Sequence, residues 1–170
     1  MQTDCQGNAS IEMGCGLAGE VIRTFGEVRL RVFGTSMVPA MLPGDLVTIR
    51  RAGLEEISAG EIVLFARNGR LFVHRVVSRK TISSAGKIED ARLVTRGDRL
   101  HHEDPPVSPR ELLGRLISLE RDNRQITLEM QEPRGAFAGL LRASDRATYL
   151  YVRLLAGWRS LFFRGVKCRV

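Results

Sequence analysis

A chain of 170 residues that is 44% hydrophobic, 26% charged and 6% aromatic has the size of one compact domain with an appendage. It carries enough apolar side chains to bury a core, which excludes a disordered, collagen-like or disulfide-dense protein. The net charge of +7 is concentrated at one end: 18 Lys+Arg balance 18 Asp+Glu over residues 1–133, whereas residues 134–170 hold 8 basic groups against Asp145 alone.

The opening Met1-Gln2-Thr3-Asp4-Cys5 places an acid where a secretory leader carries basic residues, and no apolar run follows. The longest uncharged stretch, the 13 residues from Val32 to Gly44, is shorter than the about 20 apolar residues that span a bilayer. Cys5, Cys15 and Cys168 form no CxxC pair, so a reducing, cytoplasmic setting without a metal cage is expected.

Leu17, Val21, Ile22 and Phe25 recur at helical spacing and predict a short helix that ends at Gly26. Val28, Leu30 and Val32 alternate with Arg29 and Arg31, the period of a half-buried strand. Met37 to Leu42 can form no more than a helical turn before Pro43-Gly44-Asp45 leads into a second strand, Leu46 to Arg50. Asn68-Gly69 lies between two apolar runs and is the preferred pair of a two-residue type I′ hairpin. In that register paired residue numbers sum to 137, and His74 faces Val63. The polar residues from Ser78 to Asp90 read as a loop; Ala91 to Thr95 and Leu112 to Leu119 read as further strands. After Pro133-Arg134-Gly135 the apolar spacing over 136–163 becomes helical. The divisions are therefore 1–27 as a lead with a short helix, 28–132 as a mainly β domain, and 133–170 as a basic, amphipathic C-terminal helix.

A serine just after a strand, on a glycine-containing turn, has an exposed hydroxyl and a free backbone N–H that can point at a substrate oxygen. Ser36, in Gly34-Thr35-Ser36-Met37-Val38-Pro39, meets that description, as do many serines that only cap turns. Of the histidines, His101 and His102 lie in a turn-rich segment, and only His74 lies in a strand. A histidine base needs a carboxylate to hold its tautomer, and Asp98, after the strand ending at Thr95, can reach inward. His101-His102-Glu103-Asp104 is polar but lacks the spacing of a metal site, and no phosphate-binding loop or dinucleotide fingerprint occurs.

Together these motifs resemble one family, the type I signal peptidases and the related self-cleaving repressor peptidases, over about residues 28 to 120. Gly34-Thr35-Ser36-Met37-x-Pro39 with Gly44-Asp45 resembles the family's nucleophile box. Gly60-Glu61-Ile62-Val63 with His74-Arg75-Val76 resembles its base-carrying hairpin, and Thr95-Arg96-Gly97-Asp98, Asp104 and Leu113-Gly114-Arg115-Leu116 its third segment. Members with a Ser-Lys dyad carry lysine where this chain has His74, so the closer likeness is to the Ser-His-Asp branch. The resemblance implies a signal-peptidase-like antiparallel β domain and a serine endopeptidase working through an acyl-enzyme. It implies Ser36 as nucleophile, His74 as general base, Asp98 as the partner of His74 and Asp104 in support, with no cofactor. The alternative is a non-catalytic peptide-binding or regulatory module on the same fold. Members often place a hydroxyl residue two before the nucleophile; here that position is Gly34, so an oxyanion would rest on backbone N–H groups such as that of Ser36.

The expected partner is a peptide or protein substrate. Ala18-Gly19, a small-residue bond upstream of Ser36, is a candidate for self-cleavage. Nucleic acid is not expected, since about 27 leading residues are too few for a three-helix DNA-binding unit. Taken as one helix, residues 136–164 set Arg142, Arg146, Arg153 and Arg164 opposite Ala147, Tyr151, Leu154, Leu155, Trp158 and Phe162. Such a helix either packs on the body or makes peripheral contact with an anionic membrane surface.

Overall fold

The computed structural model describes residues 16–84, 87–128 and 135–163, and within these the side chains except those of 82–84, 87–90, 137–138 and 156–163. The three cysteines, Arg164, and the side chains of Trp158 and Phe162 lie outside what is described.

Seven strands form one antiparallel sheet: β1 (Glu27–Arg31), β2 (Leu46–Arg51), β3 (Ile62–Arg67), β4 (Arg70–Ser84), β5 (Lys87–Arg96), β6 (Leu112–Arg121) and β7 (Arg124–Ile126). Their order is β1-β2-β6-β3-β4-β5, with β7 paired to β6. The mainly β body expected from the alternating segments is what forms, with helix at both ends. Asn68 and Gly69 have φ of 51° and 70°, the left-handed pair that a type I′ turn demands. The register follows: Val63 pairs with His74 and Ile62 with Arg75.

β3 is covered on both faces. Ile62 and Leu64 join Val47, Ile49, Met37, Met41 and Leu119 on one side; Val63 and Phe65 join Val76, Leu93 and Val107 on the other. Alternation thus sends successive residues of one strand into two cores.

Two sequence expectations are corrected, the loop at 78–90 and the single C-terminal helix, and two details are added. The segment 78–90 is not a loop: β4 and β5 stay paired out to Ser84 opposite Lys87. Its polarity records exposure, because a two-stranded ribbon in water is as polar as a turn; Lys80 and Thr81 are exposed. Strand β7, three residues after the Asp122-Asn123 turn, is too short for an alternating signal. The first helix, α1 (16–25), buries Ala18 and Ile22 but leaves Leu17 and Phe25 exposed, since the small Ala18-Gly19 side lets it approach Leu113 closely.

The C-terminal segment is not one helix but two, α2 (Ala136–Ala143) and α3 (Asp145–Phe163), broken at Ser144. The Ser144 hydroxyl accepts the Ala147 N–H at 3.2 Å, a serine N-cap that starts a new helix. Thr148 donates its hydroxyl to the Leu141 carbonyl at 2.8 Å and ties the two helices together. The pair docks on the body: Leu141, with Ala147, Tyr151, Val152 and Leu155 beside it, packs on Val38 and Leu42.

Candidate active site

Ser36 stands at the head of the turn between β1 and β2. That turn is anchored at its far end by Asp45, fully buried, whose carboxylate accepts the Leu42 N–H at 2.8 Å and the Arg121 guanidinium at 2.7 and 2.9 Å. Arg121 also donates to the Ala40 carbonyl at 3.2 Å, so one buried carboxylate and one arginine hold the whole bend. One hydrogen bond and one close approach hold the front. Arg99 N–H donates to the Ser36 carbonyl at 2.8 Å, and Gly97 lies so close behind that a Cβ there would sit 2.7 Å from the Ser36 oxygen and 3.0 Å from its Cβ. Only glycine fits that approach.

His74 projects from β4, 4% exposed, edge-on to the stacked rings of Phe65 and Phe72, each centroid 6.0 Å away. Its Nε2 lies 3.0 Å from the Ser36 Oγ and its Nδ1 lies 2.6 Å from the Asp104 Oδ2. With Nδ1 donating to the carboxylate, Nε2 carries the lone pair that accepts the serine proton. Thr95 donates its hydroxyl to the same Asp104 oxygen at 2.7 Å, and Asp104 N–H donates to the Thr95 carbonyl at 2.8 Å. Burial raises the Asp104 carboxyl, but the His74 hydrogen bond and charge, Thr95 and Arg67 outweigh it and leave the group below its ordinary value.

Asp98, expected beside His74, is elsewhere. It forms a buried fork with Arg75, both bonds at 2.8 Å, with Arg75 and Asp98 only 3% and 2% exposed. Strand alternation is the reason. Arg75 leaves β4 on the face opposite His74, while Thr95, paired to Val76 two residues beyond His74, shares the His74 face and brings Asp104 with it. The rest of the polar run disperses: His101 Nε2 meets the Arg142 carbonyl at 3.1 Å.

Arg67 was not singled out by the sequence. It donates to the Pro105 and Pro106 carbonyls at 2.9 and 3.0 Å and to both oxygens of Glu111 at 2.6 and 3.0 Å, clamping the segment that presents Asp104. Its signal was only its place at the hairpin end, one residue before Asn68. Thr95 and Gly97 lay within a quoted motif but without a role of their own.

A cleft of ≈ 800 Å³ opens onto Ser36 and His74, lined by Leu30, Val32, Met41, Leu71 and Val73 among others. A similar hollow of ≈ 860 Å³ beside α1 is lined by Arg23, Arg50, Arg51 and Arg110 and holds neither Ser36 nor His74. The Ala18–Gly19 bond lies within α1 with both residues buried, in helical backbone that is closed to attack as it stands.

The antiparallel β body thus brings a turn serine, a strand histidine and an aspartate into one row. Residues 17–84 match the model of the Peptidase S24-like family, which supports a peptidase-type fold. The matched stretch contains Ser36 and His74 and ends before Asp104. The comparison with curated proteins finds no match. Among the described residues, no helix is long and apolar enough to cross a membrane.

Proposed function

We propose that the protein is a serine endopeptidase that cleaves a peptide bond through an acyl-enzyme, with Ser36 as nucleophile, His74 as general base and Asp104 as the carboxylate that orients it. The observation that carries this reading is the unbroken row of hydrogen bonds from the Ser36 Oγ through both ring nitrogens of His74 to Asp104. His74 takes the Ser36 proton as the oxygen attacks the substrate carbonyl carbon. The resulting oxyanion is met by backbone N–H groups of the turn. The carbon–nitrogen bond then breaks as His74 returns the proton to the leaving amine, and water, deprotonated by the same imidazole, releases the acid. Asp104, held ionised by its donors, stabilises the imidazolium between these steps. The apolar cleft suits an extended peptide with apolar side chains. The cytoplasmic setting inferred from the cysteines belongs to the same reading.

A serine-directed acylating probe tests it, with tryptic mass mapping of the adduct. Wild-type protein labels at Ser36; Ser36→Ala and His74→Ala each lose nearly all labelling and hydrolysis, and the double variant is hardly worse, because the two groups act as a unit. A wild-type protein that neither labels nor cuts a peptide library is a binding module on the same fold.

A further inference from the structure

The docked face of α3 is not its only apolar face. Successive residues are 100° apart, which puts Tyr149, Arg153, Arg146 and Leu150 within an arc of about 100° on the side away from Thr148 and Leu155, with Leu154 about 40° beyond it, beside Ala147. Tyr149, Leu150 and Leu154 are 63%, 59% and 61% exposed, and Leu140 of α2 is 55% exposed. Large apolar side chains at this density on one helix face need a cover.

The charge around them says which cover. Arg146 and Arg153 stand within the apolar arc, and the Arg153 guanidinium lies 5.6 Å from the Tyr149 ring centre, leaving its charge at the rim. The one acid of the segment, Asp145, is ion-paired with Arg99. Residues 134–170 carry 8 basic groups against that single acid. Leucines beside arginines and a tyrosine are what an anionic lipid interface accepts, with the leucines entering the acyl boundary and the guanidinium groups meeting phosphate. A nucleic-acid duplex would satisfy the arginines and leave the leucines in water; a second copy of this chain would bring like charge against like.

We propose that the outward face of α2 and α3, centred on Leu140, Leu150, Leu154, Arg146 and Arg153, docks the protein on an anionic membrane surface. The docking does not depend on the peptidase reading, and its test does not use activity. Full-length protein is sedimented with phosphatidylcholine vesicles, with and without about 30% phosphatidylserine, at low and high salt. Binding is expected only with the anionic lipid and weakens as salt rises. Arg146→Glu with Arg153→Glu is expected to weaken it by at least about 25-fold, about fivefold for each positive charge removed. Leu150→Ser with Leu154→Ser, both at exposed positions, abolishes the binding that survives moderate salt, with helicity checked by circular dichroism. Equal binding to neutral and anionic vesicles, or unchanged binding in both well-folded variants, overturns the proposal. So does a dimer by light scattering that Leu150→Ser with Leu154→Ser dissolves, or a duplex oligonucleotide bound as tightly as the vesicles.

Discussion

His74 and Arg75 are neighbours on one strand and serve opposite faces of it, each with its own aspartate. In the proposed reaction the residue-scale consequence is that Asp104 serves function and Asp98 stability. Asp104→Asn keeps the fold but loses the acceptor that fixes the imidazole tautomer, so the acylation rate is expected to fall on the order of 10³- to 10⁴-fold with little change in unfolding midpoint. Asp98→Ala leaves the Arg75 guanidinium buried without its carboxylate and is expected to cost about 3–5 kcal/mol in chemical denaturation. Equal loss of activity and stability in both variants would contradict the split. That Ser36 and His74 belong together was legible in the sequence only through the family resemblance, because a turn serine or a strand histidine by itself is as often a turn cap or a core residue. The choice between two aspartates six residues apart was not, because it depends on which face of β4 each one meets.

At the scale of elements, the segment from Asp104 to Glu111 has no ladder of its own beyond the Leu93–Val107 bridge; backbone bonds from Asp104 N–H to the Thr95 carbonyl and from Ala66 N–H to the Glu111 carbonyl pin its ends, and side chains hold the rest. Arg67 is the main clamp, and its hydrogen bonds pull the Glu111 carboxyl down to about 2, against burial, with the Ser108 N–H and hydroxyl helping. A carboxyl depressed on folding contributes stability that is fully present above its unfolded value, near 4.5, and is lost as pH falls through about 2. Glu111→Gln is therefore expected to cost about 1–3 kcal/mol at neutral pH, and the gap from wild type narrows as pH falls from about 4.5 to about 2. Urea unfolding at pH values across that window checks the sign. A gap that widens on acidification would refute the assignment. The hairpin at Asn68-Gly69 was readable to the residue, since its turn chemistry is local. The β4–β5 ribbon was not, since polarity reports water on both faces and is silent about the neighbouring strand.

For the molecule as a whole, the C-terminal helix pair is joined to the serine turn. Arg142 donates its Nε–H to the Asp98 carbonyl at 2.6 Å, within the 97–99 stretch that backs Ser36, and Leu141 packs on Val38 and Leu42 behind the same turn. The pair is a strut for the Ser36 turn. Arg142→Ala is expected to slow acylation of Ser36 on the order of 10- to 100-fold, through misplacement rather than loss of chemistry, with substrate KM unchanged. Labelling rate read beside the thermal midpoint tests this, and Arg142→Lys should restore part of the rate. An unchanged rate in a folded Arg142→Ala protein would remove the strut from the mechanism.

The sequence by itself determined the strands whose apolar residues alternate, the hairpin register that sets His74 opposite Val63, the turn that exposes Ser36, and the basic character of the C-terminal segment. Each depends on residues within about ten positions of one another, where backbone period and turn chemistry dominate. Only the tertiary structure decided that Asp104 and not Asp98 reaches His74, that Arg67 clamps the segment between them and Glu111, and that the tail is two helices with one face docked and another bare. Those outcomes are set by which side of a sheet distant residues meet and by how much apolar surface the body leaves for a helix to cover, and no local pattern of residues encodes either.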